Sequence, residues 1–243
     1  MNTNVIKIIT AILTAGLMAV SLATPVQAEE EQESAMARGG KLYDKWYKVI
    51  DVDPPKQSHP AYPANKKYAA KPKANWRCKE CHGWDYKGVN GAYASGKHST
   101  GIIGIDGMFG ADPAKIIAVL KDSTHGYADK LGHDDFHDLA LFVSKGQVDM
   151  SKYIDYSTKS PKGGDAHQGA AYFNTICAGC HTKDGNKPKD MDKTLAKQMG
   201  NPQEVMHKIL NGQPDEKMPA LRALDRQIIL DIMAHLKTMP MEM

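Results

Sequence analysis

The sequence predicts an all-α protein made of two tandem helical domains. Three observations lead there. The five-residue motif Cys-x-x-Cys-His occurs twice, at Cys78–His82 and Cys177–His181, 99 residues apart. Each copy is followed by the same order of elements: a polar loop, a helix, a second loop and a closing helix. In the last of these, Ile228, Ile229, Ile232, Met233 and Leu236 recur at i, i+4 spacing, and no alternating, strand-like run surrounds either motif.

The N-terminus reads as a secretory signal, residues 1–28. Lys7 precedes an uncharged run from Ile8 to Leu22, followed by a small-x-small site ending at Ala28. The run is short of the roughly 20 residues a spanning helix needs, and Pro25 interrupts it. Cleavage predicts an exported chain in the periplasm of a bacterium, with no transmembrane segment left. Lys7 is the only charged residue removed, so 31 basic residues become 30 against 28 acidic. So balanced a surface gives no reason to expect nucleic acid.

The first domain is expected over 29–150. "ARGGKLYDKWYKVI" is its first helix, with Tyr43, Trp46 and Tyr47 on the packing face. An irregular insertion follows at about 51–77, where Pro54, Pro55, Pro60, Pro63 and Pro72 keep the chain extended or turned. A helix begins near Asp112-Pro113, and "DDFHDLALFVSKG" closes the domain. Residues 151–164 have few apolar side chains and read as a linker. The second domain, 165–243, opens on "DAHQGAAYFNTICAGCH" and continues through a lysine-rich loop to about Asp192. A helix then starts at Asn201-Pro202, with Pro at the first helical position. With only 4 Phe in the whole chain, each domain has a thin core unless something large and apolar fills it.

All four cysteines lie in the two motifs. Disulfides within each pair, or a zinc site, would account for the thiols. Thiol-redox motifs sit in a βαβ setting, however, and paired zinc knuckles usually lie within about 20 residues of each other. Neither explains a histidine behind each second cysteine. Covalent heme attachment does: Cys78 and Cys81, then Cys177 and Cys180, add to heme vinyl groups as thioethers, and His82 and His181 coordinate iron. Two heme c groups are expected.

With these residues the chain resembles a diheme c-type cytochrome built from two class I cytochrome c domains, over nearly everything after the signal except the insertion. The resemblance implies that Gly169 and Tyr172/Phe173 pack against the C-terminal helix. It also implies a sixth iron ligand on the far face of each heme. Met218, 37 residues after His181 and followed by Pro219, stands where the family carries its methionine. Matching "HDLALFV" to "LDIMAHL" gives an offset of 93, which carries Met218 onto His125. His125 is therefore the expected sixth ligand of the first heme, with Met108, His98 and His133 as alternatives, and His137 reads as a packing or surface residue.

A thioether favours ferrous iron and an imidazole ferric iron, so the first heme is expected at the lower potential. The expected function is a carrier of single electrons between redox partner proteins. The alternatives are a cytochrome subunit of a larger oxidoreductase, or an enzyme acting on a small inorganic sulfur or nitrogen compound. Diheme thiosulfate dehydrogenases place a cysteine on their catalytic heme, and no cysteine is spare here. Lys66, Lys67, Lys71, Lys73, Arg77 and Lys79 offer either a docking face for an acidic partner or an ordinary solvated loop. Trp76 and Trp84 are expected to pack over the porphyrin.

Overall fold

The computed structural model describes residues 25–188 and 191–242. The expected signal segment 1–28 lies outside them, except that the first helix already begins at Pro25. Ten α-helices occur among the described residues, with a single two-stranded hairpin. No described helix is long and apolar enough to cross a membrane.

Helix α1 (Pro25–Val49) is longer than its sequence signal, because Pro25 supplies a first-turn position and nothing before Gly39 breaks the run. Lys45 leaves helical dihedrals (φ −158°, ψ 72°) and kinks α1 after Asp44. Turns fill 50–71, then come α2 (Pro72–Asn75) and α3 (Cys78–His82). Helix α4 (Pro113–Leu120) is capped by the Asp112 carboxylate, which accepts the Ala114 N–H at 2.9 Å. Helix α5 (His133–Leu141) runs into a π-turn at Phe142–Gly146.

The segment expected as a bare linker is folded. Ile154 is buried, as is Met150 just before the segment, and strands β1 (Ile154–Asp155) and β2 (Ser160–Pro161) pair antiparallel. Ile154 fixes the segment to the common core, and Tyr153 and Tyr156 pack against it. The second half contains α6 (Ala166–Ile176), α7 (Ala178–His181), α8 (Leu195–Gln198), α9 (Pro202–Asn211) and α10 (Arg226–Leu236).

Each half is framed by the same crossing. A Cβ at Gly39 would run into the Asp138 carbonyl of α5, and a Cβ at Gly169 would run into the Asp231 carbonyl of α10. Only glycine lets the opening helix come this close to the closing one. Asp138 and Asp231 are 93 residues apart, the offset the sequence uses to align the closing helices. One turn further on, Tyr43 and Phe173 are each 1 % exposed. Phe173 lies against the His235 ring, so of the expected aromatic pair it takes the core, while Tyr172 is half-buried.

The halves do not hang apart. Gly40 faces away from α5, and a Cβ there would strike the Asn211 side chain on α9. His207, one turn earlier on α9, is 0 % exposed and donates its Nε2–H to the Gly40 carbonyl at 2.9 Å. One hydrophobic core runs through both halves, from Leu42 and Trp46 to Leu210 and Met233. Replacing Gly39, Gly40 or Gly169 with valine should therefore cost about 3 kcal/mol or more each by overpacking. Urea unfolding of the holoprotein reads this as a lowered midpoint, and an unchanged midpoint for all three would refute the crossings.

Candidate functional site

The first motif sits on α3. Gly83 ends this helix in the left-handed region (φ 81°), and its carbonyl accepts the Tyr43 hydroxyl at 2.6 Å. Opening helix and motif are thus joined by a buried hydrogen bond. The Nδ1 of His82 lies 2.8 Å from the Ile103 carbonyl, which fixes the tautomer and leaves Nε2 as the free ring nitrogen. Burial pushes the His82 imidazole below its ordinary pKa, so the neutral, metal-binding form prevails at pH 7.

His125 lies in the loop after α4. The Asp122 carboxylate accepts its backbone N–H at 2.8 Å and lies 3.2 Å from its ring Nδ1. This again leaves Nε2 free. The loop brings the His125 ring opposite that of His82, with centroids 6.4 Å apart and planes at 20°. Two metal–imidazole bonds of about 2 Å plus the two ring radii sum to about 6 Å, so the centroid separation is that of two imidazoles sharing one metal ion. The donor chemistry and the spacing suit a porphyrin iron held from both faces. Cys78 and Cys81 lie on the same α3 as His82.

The other candidates for this ligand are committed elsewhere or turned outward. His98 bonds Glu80 at 2.8 Å and is stacked between Tyr68 and Tyr93, at 5.1 and 5.0 Å. His133 and His137 are exposed on α5, each beside an aspartate. Met108 ends a 3-10 turn before α4, ahead of the ligand loop.

In the second motif α6 passes into α7 at Cys177, and His181 repeats the local chemistry, with Nδ1 2.8 Å from the Lys187 carbonyl. Met218 is half-buried in the loop between α9 and α10. That loop is fastened just beyond Pro219. Leu221 donates its N–H to the Ile209 carbonyl at 3.0 Å, and Arg222 bonds the Asn211 side chain at 2.7 Å and the Gly146 carbonyl at 2.8 Å. A contact with the first half thereby holds the methionine loop of the second.

The four cysteines are free thiols in the structure. Burial pushes Cys78 and Cys177 up to about 11 and Cys81 up to about 12. Such surroundings oppose a thiolate, the form that zinc or disulfide exchange requires, and are compatible with a neutral thioether. Among the described residues, no three His, Cys, Asp or Glu side chains converge as a metal-ion site.

The structure divides the basic cluster before the first motif. Arg77 pairs with the buried Asp44, and Lys79, 5 % exposed, pairs with Glu80 at 2.7 Å, so neither is available to a partner. Lys67, Lys71 and Lys73 remain exposed, and Lys66 is half-buried. Trp84, expected over the porphyrin, is buried with its ring against His207 of the second half at 5.1 Å and Arg77, Lys79 and Lys208 around it.

Residues 164–236 match the family model described as Cytochrome C oxidase, cbb3-type, subunit III. The match supports a c-type cytochrome, with heme as cofactor and electron transport as chemistry. It spans α6, the Cys177–His181 motif, Met218 and all of α10. No curated protein and no solved structure matches the chain.

Sequence reasoning missed His207 and Asp44, which bind the halves together. His207 stands in an amphipathic helix with nothing local to mark it. Its Nδ1 accepts from the Tyr86 hydroxyl at 2.8 Å, so both ring nitrogens are satisfied in the neutral form. Burial pushes it down to about 4. Burial also raises Asp44, but Arg77, Lys208 and His207 more than reverse this and hold the carboxyl well below the usual carboxylate range. Both shifts are depressions, so both contribute stability at neutral pH that acid removes. For His207 the loss falls between the unfolded value of about 6.5 and the folded value of about 4 and amounts to on the order of 3 kcal/mol. Asp44 adds its own loss below about pH 4. Unfolding followed across pH 7 to 4 should show the first loss, and His207→Gln should flatten that slope; equal slopes would refute the assignment.

Proposed function

We propose that this chain is an exported, periplasmic diheme c-type cytochrome that carries single electrons between redox proteins, with one heme c in each half. The observation that carries the reading is the pair of imidazoles, His82 and His125, facing each other at a distance that fits one iron. The family match over the second half and the repeated glycine-mediated helix crossing support a second site of the same ancestry.

The residues divide the work by chemistry. Cys78 and Cys81, then Cys177 and Cys180, tether the two groups. His82 and His181 present Nε2, each with Nδ1 held by a backbone carbonyl. His125 and Met218 would supply the sixth ligands. Heme c would contribute a one-electron ferric/ferrous couple when bound. So held, neither site would leave a coordination position for substrate, which suits a carrier rather than an enzyme. The His125 imidazole favours the ferric state of the first site and the Met218 thioether the ferrous state of the second, so the lower potential belongs to the first half. Exposed Lys67, Lys71 and Lys73 give the face beside the first site a positive potential suited to an acidic partner.

A second reading, a cytochrome subunit of a larger oxidoreductase, draws on the matched family being described as an oxidase subunit. A stable, stoichiometric co-purifying subunit would favour it. An enzyme acting on a small sulfur or nitrogen compound requires a labile ligand.

The protein matured in a host able to attach heme should give two hemes per chain by pyridine hemochrome, and its redox titration should resolve two midpoints. His125→Ala should turn the first heme high-spin in electron paramagnetic resonance and leave the second unchanged, while Met218→Ala should do the converse. One heme per chain, or two coincident midpoints, would overturn the reading.

A further inference from the structure

The insertion before the first motif is the least explained part of the chain, and two of its hydrogen bonds reach one loop, the loop that carries His125. Asn75, 1 % exposed, organises it. Its Oδ1 accepts the His59 N–H at 3.0 Å, and its Nδ2 donates to the carbonyls of Tyr68 at 2.9 Å and Ala69 at 3.1 Å. The His59 ring is thereby set against Trp76, with centroids 4.3 Å apart. Trp76 Nε1 in turn donates to the Gln57 carbonyl at 2.7 Å, closing the insertion on itself.

The protonation of His59 follows from its partners. Its Nδ1 accepts the Ala61 N–H at 3.2 Å, so in the neutral ring the proton is on Nε2. That Nε2 lies 3.0 Å from the backbone carbonyl of His125 and donates to it. Two residues on, the Tyr127 hydroxyl donates to the Trp76 carbonyl at 3.0 Å. The loop carrying His125 is therefore gripped on both sides by the insertion. With Asp122 on its N–H and near its ring Nδ1, every polar atom of His125 except Nε2 has a partner.

We infer that the insertion is a clamp that positions the sixth-ligand loop of the first heme, with the His59 Nε2–H on the His125 carbonyl and the Trp76 carbonyl on the Tyr127 hydroxyl as its two grips. His59 is a positioning residue: it acts through His125 and has no contact with the iron. The peptide carbonyl at residue 125 sets the direction in which the ring leaves the loop. Holding it keeps the ring opposite that of His82, so ligand rebinding outcompetes exogenous ligands. This gives the proline-rich segment a task distinct from recruiting a partner. The inference rests on His125 being the ligand, as proposed above.

The test uses the diheme holoprotein and reads the rate of carbon monoxide binding to the ferrous first heme, together with its low-spin resonance signal and its midpoint. His59→Leu removes the donor while keeping an apolar side chain, and should speed carbon monoxide binding roughly five- to tenfold, the loss expected from one buried hydrogen bond. The second heme should not change. His59→Gln keeps an N–H donor near the same reach and should restore a rate close to wild type. Tyr127→Phe, which removes the second grip together with the hydroxyl's contact to Cys78, should give an increase of the same order with the heme still attached, and it carries the test if His59→Leu does not mature.

Wild-type rates in both His59→Leu and Tyr127→Phe would overturn the clamp, as would a His59→Gln protein as fast as His59→Leu. His125→Ala separates the two claims. If it leaves the first heme low-spin, the ligand assignment itself falls. If it turns that heme high-spin while the clamp variants stay at wild-type rates, only the clamp falls.

Discussion

Two adjacent glycines, Gly39 and Gly40, hold the molecule together. They point in different directions from α1, and each admits a neighbour that a single methyl group would exclude. Gly39 takes the Asp138 carbonyl of the closing helix of its own half. Gly40 takes the Asn211 side chain, and its carbonyl receives the His207 ring from the other half. The opening helix is thus both the frame of the first motif, through Tyr43 and the Gly83 carbonyl, and the platform on which the second half rests. Glycine in a helix costs about 1 kcal/mol relative to alanine, a cost offset here by close packing on two sides.

The joint between the halves is polar where most cores are oily. Asp44 is buried with Arg77 on one side and Lys208 of α9 at 3.1 Å on the other, beside a neutral His207 bonded at both nitrogens. A buried charge stripped of its partner is far more costly than the pair intact, so this cluster accepts one docking geometry and penalises others. Arg222 strengthens the same logic from the methionine loop, tying Asn211 to the Gly146 carbonyl of the first half. In the proposed diheme reading, a fixed geometry between halves would keep the separation of the two hemes constant from one electron to the next.

The two candidate sites share their proximal chemistry and differ in their distal supports. At both, a backbone carbonyl fixes the Nδ1 of the motif histidine. The first distal histidine is held by Asp122 and by an insertion with no counterpart in the second half, whereas the Met218 loop is held by Leu221 and Arg222. An imidazole on a loop with a glycine at Gly126 (φ 65°) has more directions open to it than a methionine stiffened by the following proline. The added clamp on the histidine side corresponds to that greater freedom.

The sequence alone determined the motifs, the helical character and the closing-helix alignment, and through the offset of 93 it singled out His125 as the candidate sixth ligand. These are local or periodic signals: a covalent tether needs a fixed spacing, and an amphipathic helix writes its period into consecutive residues. The tertiary structure decided what depends on contacts between distant segments. It paired Arg77 and Lys79 with buried carboxylates, so that a run of basic residues became partly internal. It folded the 151–164 segment onto the core and used Trp84 between the halves. It also revealed His59 and His207 as hydrogen-bonded joints, 66 and 167 residues from the carbonyls they hold. A histidine carries no sign of its partner in its own neighbourhood, because a hydrogen bond is specified by two places in the chain and only folding brings them together.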